Sequence, residues 1–187
     1  MLSTMQYLRD ICELMQETCD PQVSKSNVYV ELEHIDPGRF HLARHGSPQE
    51  VTSAKNCFRA GDVLYGKLRP YLDKAVVAET DGICSTDILV LRPKDGTHPF
   101  YVAGVIHSHR FIDYSSQTTH GLNHPRTSWT ALQNFPVFPH SIPERQKIGE
   151  VVHKMQQALE VQEDMIAKTR ELNRSTLNIL LTGQKSL

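Results

Sequence analysis

The sequence changes its grammar at Pro143. Just before it, Phe135-Pro136-Val137-Phe138-Pro139-His140-Ser141-Ile142-Pro143 holds three prolines in nine residues, which rules out regular helix there. From residue 144 to 181 there is no proline and a single glycine, Gly149, and apolar residues recur at helical spacing. A compact part of about 140 residues therefore precedes one long helix, roughly 57 Å at 1.5 Å per residue. With Ile148, Met155, Gln162, Thr169 and Thr176 at heptad position a, position d holds Val151, Ala158, Met165, Leu172 and Ile179. Position e then holds Val152, Leu159, Ile166, Asn173 and Leu180. Columns d and e are nearly all apolar and column a is mixed. Such a broad stripe suits packing against two surfaces better than a narrow two-stranded zipper. A helix folded onto its own domain is the alternative, but so small a domain cannot cover it along its full length. The expected domains are 1–143 and 144–187.

The totals agree with one domain plus an appendage. At 187 residues, 39% hydrophobic content and a mean hydropathy of -0.39, the chain reads as globular. No apolar run approaches the roughly 20 residues of a membrane span, and the first residues do not read as a signal peptide. A cytoplasmic location is expected. The cysteines Cys12, Cys19, Cys57 and Cys84 form no CxxC pair, so buried reduced thiols are expected. His107-Ser108-His109 has no third ligand at recognisable spacing, so no metal site is expected. Net charge is -1, and residues 1–143 carry 13 Lys and Arg against 15 Asp and Glu. A generic nucleic-acid sponge would be basic, so any DNA binding must use a local patch or a partner's charge.

Spacing predicts a short amphipathic helix over 4–17, with a strand over 10–15 as the alternative. A strand is expected over 27–35, closed by Asp36-Pro37-Gly38. A turn leading into a strand covers 58–72, and further strands are expected over 74–78 and 85–93. Residues 99–112 read as one helix with Pro99 in its first turn, and 115–129 as a polar loop. Strands, helix, loop and proline run together predict an α+β fold: a mixed β-sheet domain followed by one long coiled-coil-type α-helix.

No catalytic signature is present. The sequence has no phosphate-cradling glycine motif, no HExxH and no GxSxG. No lysine has Asp or Glu two positions before it, as many restriction nucleases require, and no [DNS]PP[YF] methyltransferase pocket occurs. Binding chemistry is better represented. Lys55, Arg59, Lys67, Arg69 and Lys74 stand against only Asp62 and Asp73, with Tyr65 and Tyr71 among them. If Tyr65, Lys67, Arg69 and Tyr71 share a strand, alternation puts all four on one face, offering cations to phosphates and rings to bases or sugars. A solvated edge with paired charges would have the same composition. The second candidate is the loop holding Gln117, Thr119, His120, Asn123, His124, Arg126 and Ser128, side chains that donate and accept as base-edge readout needs. A bland polar surface loop would look similar.

Taken together, these blocks resemble the specificity subunit of Type I restriction-modification systems. Gly61-Asp62-Val63-Leu64-Tyr65-Gly66-Lys67-Leu68-Arg69-Pro70-Tyr71 resembles a stretch of that family's target recognition domain, and Gly82 to Pro93 the strand after it. Gly121 to Trp129 takes the place of the family's proline-arginine turn. Phe135-Pro136-Val137-Phe138-Pro139 with Ile142-Pro143-Glu144-Arg145-Gln146-Lys147-Ile148 resembles its junction, and Leu180-Leu181-Thr182-Gly183 the close of its conserved helix. Arg145 departs from the pattern by separating Glu144 from Gln146. The chain also has one recognition domain and one spacer helix where an ordinary subunit has two of each, so it resembles a half-subunit, naturally half-sized or a fragment.

The resemblance implies a non-catalytic subunit that reads one part of a split double-stranded DNA target, mainly in the major groove. The recognition residues would be Lys55, Arg59, Tyr65, Lys67, Arg69, Tyr71 and Lys74 together with the loop residues above. The helix would set the distance to the second part and dock an adenine methyltransferase subunit, and through it a nuclease/translocase subunit. No cofactor is expected on this chain; S-adenosylmethionine and ATP with magnesium would belong to those partners. A C2 homodimer through Ile148, Val151, Val152, Met155, Leu159, Met165, Ile166, Leu172, Ile179 and Leu180 would give an inverted-repeat target. A coiled-coil scaffold that binds protein without DNA specificity is the competing expectation.

Overall fold

The computed structural model describes residues 5–23, 26–94, 96–121 and 123–183. The chain opens with strand β1 (Gln6–Tyr7), a single helical turn α1 (Leu8–Ile11), and strands β2 (Cys12–Met15), β3 (Thr18–Cys19) and β4 (Tyr29–Val30). Strands β5 (Lys55–Phe58), β6 (Val63–Gly66), β7 (Ala75–Val77), β8 (Gly82–Cys84) and β9 (Ile88–Pro93) come next. Then come helices α2 (Pro99–Ile106), α3 (His109–Gln117) and α4 (Trp129–Leu132), strand β10 (Pro136–Val137), and the long helix α5 (Ile142–Thr182). The strands form a two-stranded sheet β1-β10 and two four-stranded sheets, β2-β9-β6-β7 and β3-β5-β8-β4. Among the described residues only β4 and β8 pair in parallel, which makes the second four-stranded sheet mixed, and the fold is α+β as expected.

All four residues of β6 are buried, and the reason is layering. Register sets Val63 and Tyr65 on one face beside Val77, Ala75, Leu89 and Leu91, with Leu64 on the other beside Val76 and Val90. The Leu64 face packs with Val30, Ile35, Phe58 and Cys84 of the second sheet and its loops. The Tyr65 face meets α3, where the Tyr65 and Phe111 rings lie edge to face at 5.5 Å. Phe111 continues edge to face onto Phe135 at 5.1 Å, which fixes the stretch before the proline run.

The turn into β6 is held by a buried carboxylate. Asp62 is 1% exposed and accepts from Arg59 N (2.8 Å) and from Arg92 Nε and Nη2 (both 2.8 Å). Gly61 makes the turn possible at φ 89°.

Two compact units divide at Glu150 and Val151, so the first turns of α5 belong with the domain and the break expected at Pro143 lies inside the helix. Glu144 Oε2 accepts from Ser141 N and Oγ, both at 2.7 Å, so the helix start is closed by the glutamate half of a capping box. Arg145, 5% exposed, donates to His140 O (3.0 Å), Thr97 Oγ1 (3.2 Å) and Gln6 Oε1 (2.9 Å). One turn later Gly149 lies so near His98 that an added Cβ would come within 2.4 Å of its Cβ. The residue that separates Glu144 from Gln146 is therefore the one that fastens this stretch. In the second unit, Val151, Met155, Leu159, Met165, Ile166, Leu172, Ile179 and Leu180 are exposed and Val152 is half-buried; Ile148, half-buried too, lies in the first unit. Val161, Leu177 and Leu181 add to the exposed apolar surface.

Several expected elements differ. The helix over 4–17 is a single turn followed by β2, because Cys12 to Met15 pair with β9; the strand alternative over 10–15 holds for Cys12–Met15, and Thr4 lies outside the described residues. The strand over 27–35 keeps only Tyr29–Val30, since Leu32–His34 turns into a short 3-10 helix. The single helix over 99–112 is two, because Ser108 Oγ accepts from Phe111 N and starts α3 afresh. That helix also takes the first residues of the loop read over 115–129, and α4 takes its last. Cys19 and Cys57 are paired as a disulfide between β3 and β5, leaving Cys12 and Cys84 as the free buried thiols. Burial pushes the Cys84 thiol up to about 12. Among the described residues no helix is long and apolar enough to cross a membrane.

Because Asp62 is buried and anchors Arg92, Asp62→Ala is expected to cost about 3 kcal/mol. Urea denaturation of the wild type and the variant measures it; a loss under about 1 kcal/mol would show that the pair is replaceable by water.

Candidate nucleic-acid interface

Strand β6 ends at Gly66, but its chain keeps borrowing partners. Lys67 N donates to Asp87 O (2.9 Å) and Lys67 O accepts from Thr127 N (3.0 Å). Leu68 bridges Arg126, and Arg69 N donates to Pro125 O (2.8 Å). Arg126 is bonded in turn to His120, N to O in both directions at 2.9 and 3.0 Å. The polar loop is thus a small hairpin closed at His120 and Arg126 and laid edge-on against residues 67–69. Gly121 turns it at φ 97°, where a Cβ would stand 3.2 Å from His124 O. Behind the hairpin, the Thr118 and Thr127 hydroxyls are 3.0 Å apart and the Thr119 hydroxyl donates to Ser116 O (2.9 Å).

One carboxylate locks this arrangement. Arg126 Nε donates to Asp87 Oδ1 (2.9 Å) and Arg126 Nη2 to Asp87 Oδ2 (3.1 Å), a two-toothed pair. The Arg126 hydrogen bond holds the Asp87 carboxyl below the usual carboxylate range, with the nearby charges of Lys67 and His124 acting in the same sense. Arg126 is therefore neutralised and structural on one side, while Arg69, His120, Asn123, His124 and Gln117 stay exposed around it.

The expected all-on-one-strand face is corrected. Tyr65 is 2% exposed and belongs to the core, because β6 is covered on both sides. The strand stops before Lys67, and Arg69 turns left-handed at φ 51°, sending Pro70–Leu72 into a 3-10 turn that exposes Tyr71. Lys55 is buried, its Nζ donating to Ser53 Oγ (2.5 Å) and Ser53 O (3.2 Å). Lys74 Nζ donates to Leu32 O at 2.5 Å. Arg59 is exposed but pairs with Glu17 at 3.5 Å, on the β5 side of the domain. Ser128 Oγ accepts from Ala131 N and caps α4. The residues that gather are thus Lys67, Arg69 and Tyr71 with the hairpin. Sequence reading missed the organising role of Asp87; the only signal was a carboxylate in a short turn before a strand. Among the described residues no three His, Cys, Asp or Glu side chains gather to hold a metal ion.

The sign of the Asp87 lock follows from its lowered folded value. An unfolded Asp titrates near pH ~3.9, so the lock is complete above that and is lost as pH falls through the lower folded value. Amide exchange at Arg69 and Thr127 is expected to stay slow from neutral pH down to about 4 and to lose protection below it, after correction for intrinsic rates. Asp87→Asn should show the exposed behaviour already at neutral pH; equal protection in both proteins would remove Asp87 from this role.

No protein-family model matches the chain. Over 105 residues it is 32% identical to the Type I restriction enzyme EcoDI specificity subunit of Escherichia coli, which covers 56% of this chain and 23% of that protein. The HsdS subunit of Thermoanaerobacter tengcongensis superposes with a TM-score of 0.67 at 22% identity, over 95% of this chain and 48% of its own. A chain from a structure of a type I R-M system, solved for its complex assembly and conformational transition, gives 0.67 at 21% identity, over 96% and 48%. The Type-I restriction-modification S subunit of M. genitalium gives 0.56 at 13% identity, over 94% and 45%. The chain thus spans about half the length of these solved subunits and less of the curated relative. In sequence and in fold it is similar to one half of a Type I restriction-modification specificity subunit.

Proposed function

We propose that the chain is a DNA-recognition module of a Type I restriction-modification complex, reading one part of a split double-stranded target. The observation that carries the reading is the exposed polar hairpin between His120 and Arg126, bonded edge-on to residues 67–69. It offers amide and imidazole groups able to bond base edges, beside the cations Lys67 and Arg69 for phosphates. The chain itself is non-catalytic and takes no cofactor in this reading. An adenine methyltransferase subunit supplies S-adenosylmethionine, and a nuclease/translocase subunit supplies ATP-driven cleavage, both in the cytoplasm. The exposed apolar stripe of the second unit supports a homodimer, with room left for the methyltransferase.

A randomised duplex pool, offered with the methyltransferase subunit present, is expected to yield a split motif. Lys67→Ala and Arg69→Ala should each weaken binding to all duplexes and reduce the salt slope by about 0.9. Asn123→Ala or His124→Ala should cost about 1–3 kcal/mol at a single base position and relax it. Failure to enrich any motif, with salt slopes unchanged by the cation variants, would favour a protein-binding scaffold.

The stripe has its own measurement. Sedimentation equilibrium of the full chain should give a dimer, converted to monomer by Met165→Glu with Leu172→Glu. A monomer at high concentration in the wild type would refute the homodimer.

A further inference from the structure

Among the described residues only two non-glycine residues have positive φ, Arg69 and Asp73, both at 51°. They bracket the turn Pro70–Leu72, whose Tyr71 and Leu72 are 56% and 37% exposed. A left-handed conformation at two side-chain-bearing residues four positions apart persists only where the surroundings enforce it. The entry is enforced by Arg69 N on Pro125 O (2.8 Å), and the turn itself by Leu72 N on Arg69 O (2.9 Å) and Asp73 N on Pro70 O (3.1 Å). The exit is enforced from behind. Asp73 O accepts from Gly38 N (2.9 Å), and Asp73 Oδ1 lies 2.8 Å from His107 Nδ1. His107 Nε2 lies 3.1 Å from Ala75 O, the first residue of β7. Both partners are acceptors, and the contact to Asp73 is a hydrogen bond when the ring carries its proton on Nδ1. Its face rests on Phe40 at 4.3 Å, and its side chain is only 8% exposed.

We infer that His107 is a positioning residue for DNA recognition, holding the Pro70–Leu72 turn so that Arg69 and Tyr71 meet the duplex in a fixed posture beside the hairpin. The inference rests on the function proposed above. His107 cannot reach DNA itself, because its ring is enclosed between Phe40 and the turn; it acts through Asp73. The chemistry at the surface is a guanidinium for phosphate and a phenol ring with a leucine for the apolar faces of sugars and bases.

Three variants of the full chain separate this role from general stability. His107→Asn keeps a donor where Nδ1 meets Asp73. His107→Gln keeps one toward Ala75 O, and His107→Phe keeps the ring alone. With the methyltransferase subunit present, His107→Gln and His107→Phe are expected to bind the wild-type-selected duplex about tenfold more weakly, and His107→Asn nearly as the wild type. Binding to random duplex should weaken in the same two variants, because Arg69 meets phosphate whatever the sequence. In the free chain, amide exchange at Leu72 and Asp73 should accelerate about tenfold in the first two variants and not in the third. Losses that track melting temperature equally across all three, or unchanged exchange in all, would overturn the inference. If the wild type selects no duplex but the exchange pattern holds, the proposed function falls while His107 keeps the turn.

Discussion

Strand β6 has no solvent face, and most of the molecule is arranged around that constraint. Four consecutive buried residues can be satisfied only if something covers each side of the sheet. The second sheet closes one side through Phe58, Val30 and Cys84, and α2 with α3 closes the other through Phe111. A strand buried this way cannot display alternating side chains to a ligand, so recognition is displaced to where the strand ends. Gly66 marks that end: a Cβ there would come within 2.7 Å of Leu32 Cδ2, and beyond it the backbone pairs with the 118–128 loop.

The surface beyond β6 is positioned by carboxylates that do not themselves face a ligand. Asp87 ties down Arg126 and with it the hairpin; Asp73, backed by His107, ties down the turn that bears Tyr71. Each pair converts a loop with few apolar contacts into a defined posture, the usual condition for selective hydrogen bonding. The acidic balance of the domain also acquires a physical reading. Several carboxylates counted against DNA binding, Asp62, Asp73 and Asp87 among them, are consumed internally and leave exposed cations at the hairpin edge.

Much of this was legible beforehand because it depends on local chemistry. The proline run, the helix after it, the heptad columns, the strands around Ala75 and Ile88 and the polar loop all follow from spacing and residue type. The site was legible only in part. Lys67, Arg69, Tyr71 and the hairpin residues are brought together, but Tyr65, Lys55 and Lys74 are not, since a net count of cations does not say which ones a carbonyl or a hydroxyl will take. Arg145, seen in sequence only as an intrusion, proves to be a buried tie from the helix to Gln6 and Thr97, residues far away along the chain.

The sequence by itself determined the α+β class and the long helix with its apolar stripe, since turn chemistry and periodicity are written in neighbouring residues. Tertiary structure decided that β6 is covered twice, that the chain turns left-handed at Arg69 and Asp73, and that Asp87, Asp73 and His107 support the exposed surface. Those outcomes depend on pairings between residues tens of positions apart, which no local pattern encodes.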